Sequence, residues 1–211
     1  MNKKNITGFL AVVLILCAAR LFAAVGCELN DPDRDVKRIF PQSTGYKTQY
    51  FIIKEIGGNS LLKDIEGKLG DKFDGIYETI DISYTVYIIL KDNKKIGYIH
   101  GVNQKGMFGG IQVVTALDTQ GSITSLYFQK FTSPEGQKFR SKEFTDQFKG
   151  LSLTDFLKYD VKNMKEIKPG SVLTIKDYSK NSRDDFKNIL RGVKKNLILM
   201  DVFIFSGKKN I

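Results

Sequence analysis

Between Ile76 and Phe131, four runs of β-branched, aromatic and aliphatic residues follow one another with only short polar segments between them. Ile76 to Leu90 alternates and then becomes continuously apolar (Y-T-V-Y-I-I-L), and Lys91-Asp92-Asn93-Lys94 turns it into a second run, Lys95 to Val102. Gly109 to Leu117 and Ser122 to Phe131 form the next pair, joined by Asp118-Thr119-Gln120-Gly121, where Gly121 accommodates a positive φ. Short connections of this kind close hairpins, so the four runs predict a twisted antiparallel sheet with one face in need of cover.

Helices supply that cover. Arg140 to Lys149 places Phe144 and Phe148 one turn apart and ends at Gly150. A second helix is expected from Ser182, with Asp185 three residues on as a capping-box-like partner, through Phe186, Ile189, Leu190 and Val193. Gly192 interrupts that pattern and Lys194-Lys195 suits a helix C-terminus, so Leu197 to Phe205 reads as a final apolar strand. Ahead of the hairpins, Tyr46 to Ile56 reads as a strand closed by Gly57-Gly58-Asn59, and Ser60 to Leu69 as a short amphipathic helix capped by Ser60. Asp31 to Asp35 reads as a polar link, and Pro41 forces an extended approach to the fold. No internal repeat or Pro/Ser-rich linker divides the chain. The expectation is an α+β domain over 41–205, preceded by a leader (1–26) and a linker (27–40) and followed by a polar tail (206–211).

Composition narrows the chemistry. The 211 residues contain one histidine (His100), two cysteines and no tryptophan. A Cys/His zinc site, a four-thiolate iron–sulfur cluster and a C-x-x-C-H haem attachment all need ligands the chain does not have. His100 lacks the G-x-S-x-G context of a hydrolase triad and reads as structural. Redox chemistry in such a chain needs an organic cofactor.

The leader has Lys3 and Lys4 ahead of an apolar run from Ile6 to Ala19, then Arg20 and small residues up to Gly26. That is the shape of a secretory signal. Ala24-Val25-Gly26-Cys27 resembles a bacterial lipobox, which makes Cys27 a candidate lipidation site. An uncleaved membrane anchor and a plainly cleaved leader remain open alternatives. Each places the bulk of the chain outside the cytoplasm. Loss of Lys3, Lys4 and Arg20 would take the net charge from +10 to +7, which favours anionic partners such as lipid headgroups or phosphorylated cofactors. No nucleic-acid module is recognisable.

From Gly97 to Leu153 the chain shows Gly109-Gly110, then Asp118 to Gly121, then Thr132-Ser133-Pro134-Glu135-Gly136, then Gln147-Phe148-Lys149-Gly150. In this order the segments resemble the FMN-binding domain found in the G subunit of Rnf complexes and the C subunit of the sodium-pumping NADH:quinone oxidoreductase. Members show a glycine-led strand, a D-x-x-G turn, an E-T-P-G-L-G-like loop and a helix closing in Q-F-x-G. The resemblance covers about a quarter of the chain closely.

The resemblance implies a membrane-associated, extracytoplasmic electron-transfer flavoprotein. It would be a carrier subunit rather than a catalyst, working with a redox protein partner or complex subunits. It also implies that Thr132, Ser133 and Gly136 lie near the flavin ring. Many members attach FMN to the last Thr of an S-G-A-T-like motif before the final helix. Here that stretch is Asp177-Tyr178-Ser179-Lys180-Asn181-Ser182-Arg183, and registering it by the helix start puts Lys180 where the acceptor hydroxyl should be. Covalent attachment would need Ser179 or Ser182 in a shifted register. The alternative is a non-covalent phosphate cradle of Lys180, Arg183 and free backbone N–H groups at the helix N-terminus. The missing motif also permits a flavin-free interaction or assembly module that keeps the fold. A third possibility is a flavin-dependent reductase with its own soluble substrate, for which the sequence offers no acid or base.

Overall fold

The structure, a computed structural model, describes residues 27–73 and 78–206. The leader expectations for 1–26 therefore lie outside the described residues. The core is a five-stranded antiparallel sheet in sequence order: β1 (Gly45–Phe51), β2 (Tyr84–Lys91), β3 (Lys94–Gly106), β4 (Gly109–Leu117) and β5 (Ile123–Phe131). The chain is thus α+β, as its hairpin pattern predicts. Asp92 and Asn93 both take positive φ in the β2–β3 turn, and Gly121 does so in the β4–β5 turn. These conformations match the twist of the strands they join.

Both faces of the sheet are covered, because alternate residues of each strand are apolar on opposite sides. On the main face Val86, Tyr98, Val102, Ile111, Val113, Leu126 and Phe128 meet the helices. The other face carries Tyr87, Ile89, Ile99, Val114 and Ala116, which pack against Cys27, Leu29, Val36 and Phe40. The polar link expected at Asp31–Asp35 is instead part of a helix, α1 (Pro32–Ile39), with Asp31 capping it by accepting from the Arg34 N–H. Strand-face glycines admit this layer: a Cβ at Gly97 would lie 2.7 Å from the Phe40 ring, and one at Gly101 2.6 Å from Cys27 Sγ. Of the pair Tyr127 and Phe128, Phe128 enters the main core, and Tyr127 lies on the α1 side under the Arg38 guanidinium, 4.4 Å away.

Several elements differ from expectation. The strand expected over Tyr46–Ile56 stops at Phe51, and Ile53–Ile56 is a single turn, α2, running into α3 (Gly58–Leu69). The residue before the first turn of α3 is Gly57, not Ser60, and Gly70 ends it in the left-handed conformation. The helix expected from Arg140 is broken into α4 (Gly136–Arg140), α5 (Lys142–Thr145) and a 3₁₀ turn (Asp146–Phe148). Ser141 takes an extended conformation and caps α5 through the Phe144 N–H. The pair survives the break as an edge-to-face contact, with Phe144 and Phe148 ring centroids 5.4 Å apart and planes at 64°. A short turn, α6 (Leu153–Phe156), carries a Ser152/Asp155 capping box. The hairpin of β6 (Tyr159–Asp160) and β7 (Lys165–Glu166) then leads back toward the last helix.

The largest correction is at the C-terminus. A single helix, α7 (Arg183–Met200), crosses the main face and continues as a π-turn over Asp201–Phe205, so Leu197–Phe205 is not a strand. A short apolar run has no period to separate a buried strand from a buried helix. Gly192 does not interrupt the helix; it sits where a Cβ would lie 2.9 Å from Val113 Cγ2, letting α7 approach β4 closely. Lys194 and Lys195 do not mark the helix end; both are buried. Lys194 Nζ donates to the Tyr159 carbonyl at 2.9 Å, and Lys195 Nζ pairs with Glu78 and donates to the Asn103 carbonyl at 2.6 Å.

Candidate functional site

The β3–β4 hairpin tip, the loop after β5 and the N-terminus of α7 meet at one end of the sheet. The first contact between them is made by Glu135. It accepts from the backbone N–H groups of Lys180 (3.0 Å) and Asn181 (2.8 Å), pairs with Lys138, and receives the Ser182 hydroxyl. Lys138, then the two amides, hold the Glu135 carboxyl well below the usual range, at about 2. Two segments some 45 residues apart in sequence are thereby tied together. The second contact is Asp185, fully buried, whose Oδ1 accepts the Met107 N–H at 2.7 Å. A Cβ on Gly106 would lie 2.9 Å from that oxygen, so the glycine is what lets the hairpin close on α7.

These contacts settle several local expectations. Ser182 does precede the first turn of α7, but its side chain makes no capping bond there, and Asp185 serves the hairpin instead of a capping box. Two amides of the loop Thr132–Gly136 are satisfied within it: Ser133 Oγ accepts from the Glu135 N–H at 3.3 Å and Ser133 O from the Gly136 N–H at 3.0 Å. Gly136 begins α4, and a Cβ there would meet nothing nearer than 3.6 Å, so no close approach depends on it. Thr132 is exposed and lies against Gly109, which has φ +137°.

On the α7 side, Lys180 and Arg183 are exposed and Ser182 is buried. The Ser179 N–H donates to Asp177 Oδ1, while Ser179 Oγ is buried with no hydrogen-bond partner among the described residues. Glu135 thus takes the amides of Lys180 and Asn181, the two residues just ahead of Ser182, and lies beside the helix start where the cradle is expected. An anion at this end would meet the exposed Lys180 and Arg183 and the first turn of α7 rather than the Lys180 and Asn181 amides.

Glu135 and Asp185 organise this end of the molecule, and neither stood out as a site residue in the sequence. Glu135 lies within the T-S-P-E-G loop that carries the resemblance, which was the available signal. Asp185 was visible only as a helix-cap partner. His100 is buried in the core away from the cluster. Asn196 Oδ1 lies 3.1 Å from its Nδ1 and also accepts the Thr115 hydroxyl at 2.7 Å. Burial pushes the imidazole down to about 4, leaving it neutral and structural. Cys27 is equally enclosed: its Sγ lies against Gly101, and burial raises the thiol to about 12. A thioether at Cys27 would require Sγ to leave this position.

No known protein-family model matches the chain, and no curated protein does either. Among solved structures it is similar to the C subunit of the Na(+)-translocating NADH-quinone reductase from Parabacteroides distasonis, with 16% identity, a TM-score of 0.41 and 82% of each chain covered. Among the described residues no helix is long and apolar enough to cross a membrane.

Proposed function

We propose that this chain is an FMN-binding electron-transfer subunit or accessory of a membrane redox system, held on the extracytoplasmic side through its N-terminal segment. The observation that carries the reading is the closure of Thr132–Gly136 onto Ser179–Arg183 through Glu135, two segments that the FMN-binding-domain resemblance brings to one cofactor. Bound flavin supplies one- and two-electron transfer, and the protein supplies position and electrostatics. Lys180 and Arg183 would neutralise the flavin phosphate, and Ser179 Oγ, buried without a partner, would donate to it once uncovered. Thr132 would offer a hydroxyl to the flavin, and the hairpin tip that Asp185 holds would flank the same end of the molecule. Attachment is non-covalent in this reading, because Lys180 stands at the acceptor position and cannot form the phosphoester, while the Ser182 hydroxyl is committed to Glu135. The carrier exchanges electrons with a protein partner and turns over no small substrate of its own.

One observation favours the other reading, a flavin-free interaction or assembly module. The Glu135 carboxylate sits on the Lys180 and Asn181 amides much as a ligand anion would. The two separate in an absorbance spectrum of native protein, produced with FMN and the flavin-attaching enzyme present, before and after acid precipitation. Flavin released to the supernatant supports the non-covalent carrier. Flavin mass retained on a peptide containing Ser179 or Ser182 overturns the non-covalent assignment, and a colourless preparation overturns the carrier altogether.

A further inference from the structure

The β3–β4 hairpin ends in a two-residue tip, Met107-Phe108, beyond the last strand pair, Gly106 and Gly109. Both tip side chains are open to solvent, Met107 by 44% and Phe108 by 51%. Fraying does not account for this exposure, because the backbone beneath is fixed. Asp185 accepts the Met107 N–H, and a Cβ on Gly106 would lie 2.9 Å from that carboxylate and 2.8 Å from Ile111. A held turn that keeps two large apolar side chains off the body of the protein marks a contact surface.

Cations flank the tip on both sides. Lys105 lies two residues before Met107 on β3, in register with Gly110. Lys130 lies two residues before Thr132, whose side chain a Cβ on Gly109 would meet at 3.5 Å. Both lysines are exposed, and neither forms an ion pair among the described residues. Of the acids nearby, Asp185 is buried against the hairpin and Glu135 is paired with Lys138, while Asp184 is exposed. A two-residue turn has no concavity to receive a partner's side chain. A lipid interface, by contrast, accepts an apolar wedge whose neighbouring ammoniums stay among the headgroups on their long stems.

We propose that Met107 and Phe108 insert into the headgroup–acyl boundary of a membrane containing anionic lipid, with Lys105 and Lys130 resting on the headgroups. Apolar burial supplies the insertion and the lysines select the charge of the surface. The proposal draws on neither Lys180, Arg183 nor a bound flavin, so it stands or falls apart from the carrier reading.

The chain has no tryptophan, so Phe108→Trp places a single fluorophore at the tip. Lys94→Trp places one at the opposite end of the 13-residue β3, roughly 40 Å away. Each full-length variant is added from detergent to preformed vesicles of phosphatidylcholine, with or without phosphatidylglycerol. With phosphatidylglycerol, the tip fluorophore should shift to the blue, be quenched by bromine on the lipid acyl chains and become at least about twofold less accessible to acrylamide. The Lys94→Trp fluorophore should show none of these changes. Adding Lys105→Glu and Lys130→Glu to the tip variant should cut the lipid quenching by about twofold or more with an unchanged circular dichroism spectrum. A tip fluorophore that stays open to acrylamide, equal burial in neutral vesicles, or equal lipid quenching of the Lys94→Trp control overturns the proposal. So does burial in detergent alone: if driven by added FMN it gives the tip to the flavin, and if driven by rising protein concentration it gives the tip to a second copy of this chain.

Discussion

Because the Glu135 carboxyl is held at about 2 in the folded chain and returns to about 4.3 when unfolded, its anchoring of the α7 N-terminus depends on pH. A depressed carboxyl contributes fully above the unfolded value and loses that contribution as pH falls toward the folded one. Amide hydrogen exchange should therefore show Lys180 and Asn181 protected from pH 7 to about 5 and progressively released toward pH 2. Glu135→Ala, which removes the acceptor, should remove most of this protection at every pH. Retention of protection in that variant at neutral pH would mean that something else anchors the loop. A second residue-scale prediction concerns Cys27. In protein whose Cys27 is unmodified, maleimide at pH 8 should label the thiol only after unfolding. Gly101→Ala pushes a methyl against both Sγ and the Cys27 carbonyl oxygen, so labelling of the folded protein should rise by about tenfold or more while the sheet persists. A thiol that stays unreactive in denaturant would instead indicate a blocked, lipid-bearing sulfur.

At the scale of elements, α7 is the piece whose internal charges need explanation. Lys195 and Glu78 are both essentially inaccessible; burial lowers the first and raises the second, and each offsets the other. Removing one partner of such a pair strands a buried charge, whereas neutralising both leaves a tolerable polar contact. Lys195→Met should cost about 3 kcal/mol in urea unfolding at pH 7. The loss should shrink at lower pH, because a carboxyl whose folded affinity for protons is raised gains stability below its folded value. Lys195→Met with Glu78→Gln should recover part of the loss, since glutamine can still accept the Asn103 N–H that Glu78 accepts now. If the double variant is no better than the single one, the pair is not what fails. Gly192→Ala tests packing against propensity: alanine favours helix by about 1 kcal/mol, but its methyl meets Val113 Cγ2 at 2.9 Å. Overpacking of about 1–3 kcal/mol should win, giving a net loss by the same measurement.

For the whole molecule, the decisive feature is that the sheet has two covered faces. Truncation before Gly45 would uncover Tyr87, Ile89, Ile99, Val114 and Ala116 together. Such a chain should bind a hydrophobic dye and melt well below the parent, by roughly 6–12 °C if about 3 kcal/mol of burial is lost. An unchanged melting curve would mean that α1 is an accessory rather than part of the fold.

The sequence by itself determined the hairpin order, the antiparallel sheet and the turns at Asp92-Asn93 and Gly121, because local alternation and backbone conformation are written in neighbouring residues. The family resemblance also singled out the two segments that meet at Glu135, the loop by its motif and the later stretch by the helix start that follows it. Tertiary structure decided the rest. Leu197–Phe205 became helix, and Gly192 a contact, only because the sheet beneath them sets the room available. The D-P-D-R-D stretch became a helix over a second face because Gly97 and Gly101 leave space for Phe40 and Cys27. The Lys180 and Asn181 amides, just ahead of the last helix, are taken because Glu135 comes within hydrogen-bonding distance only once the chain has folded.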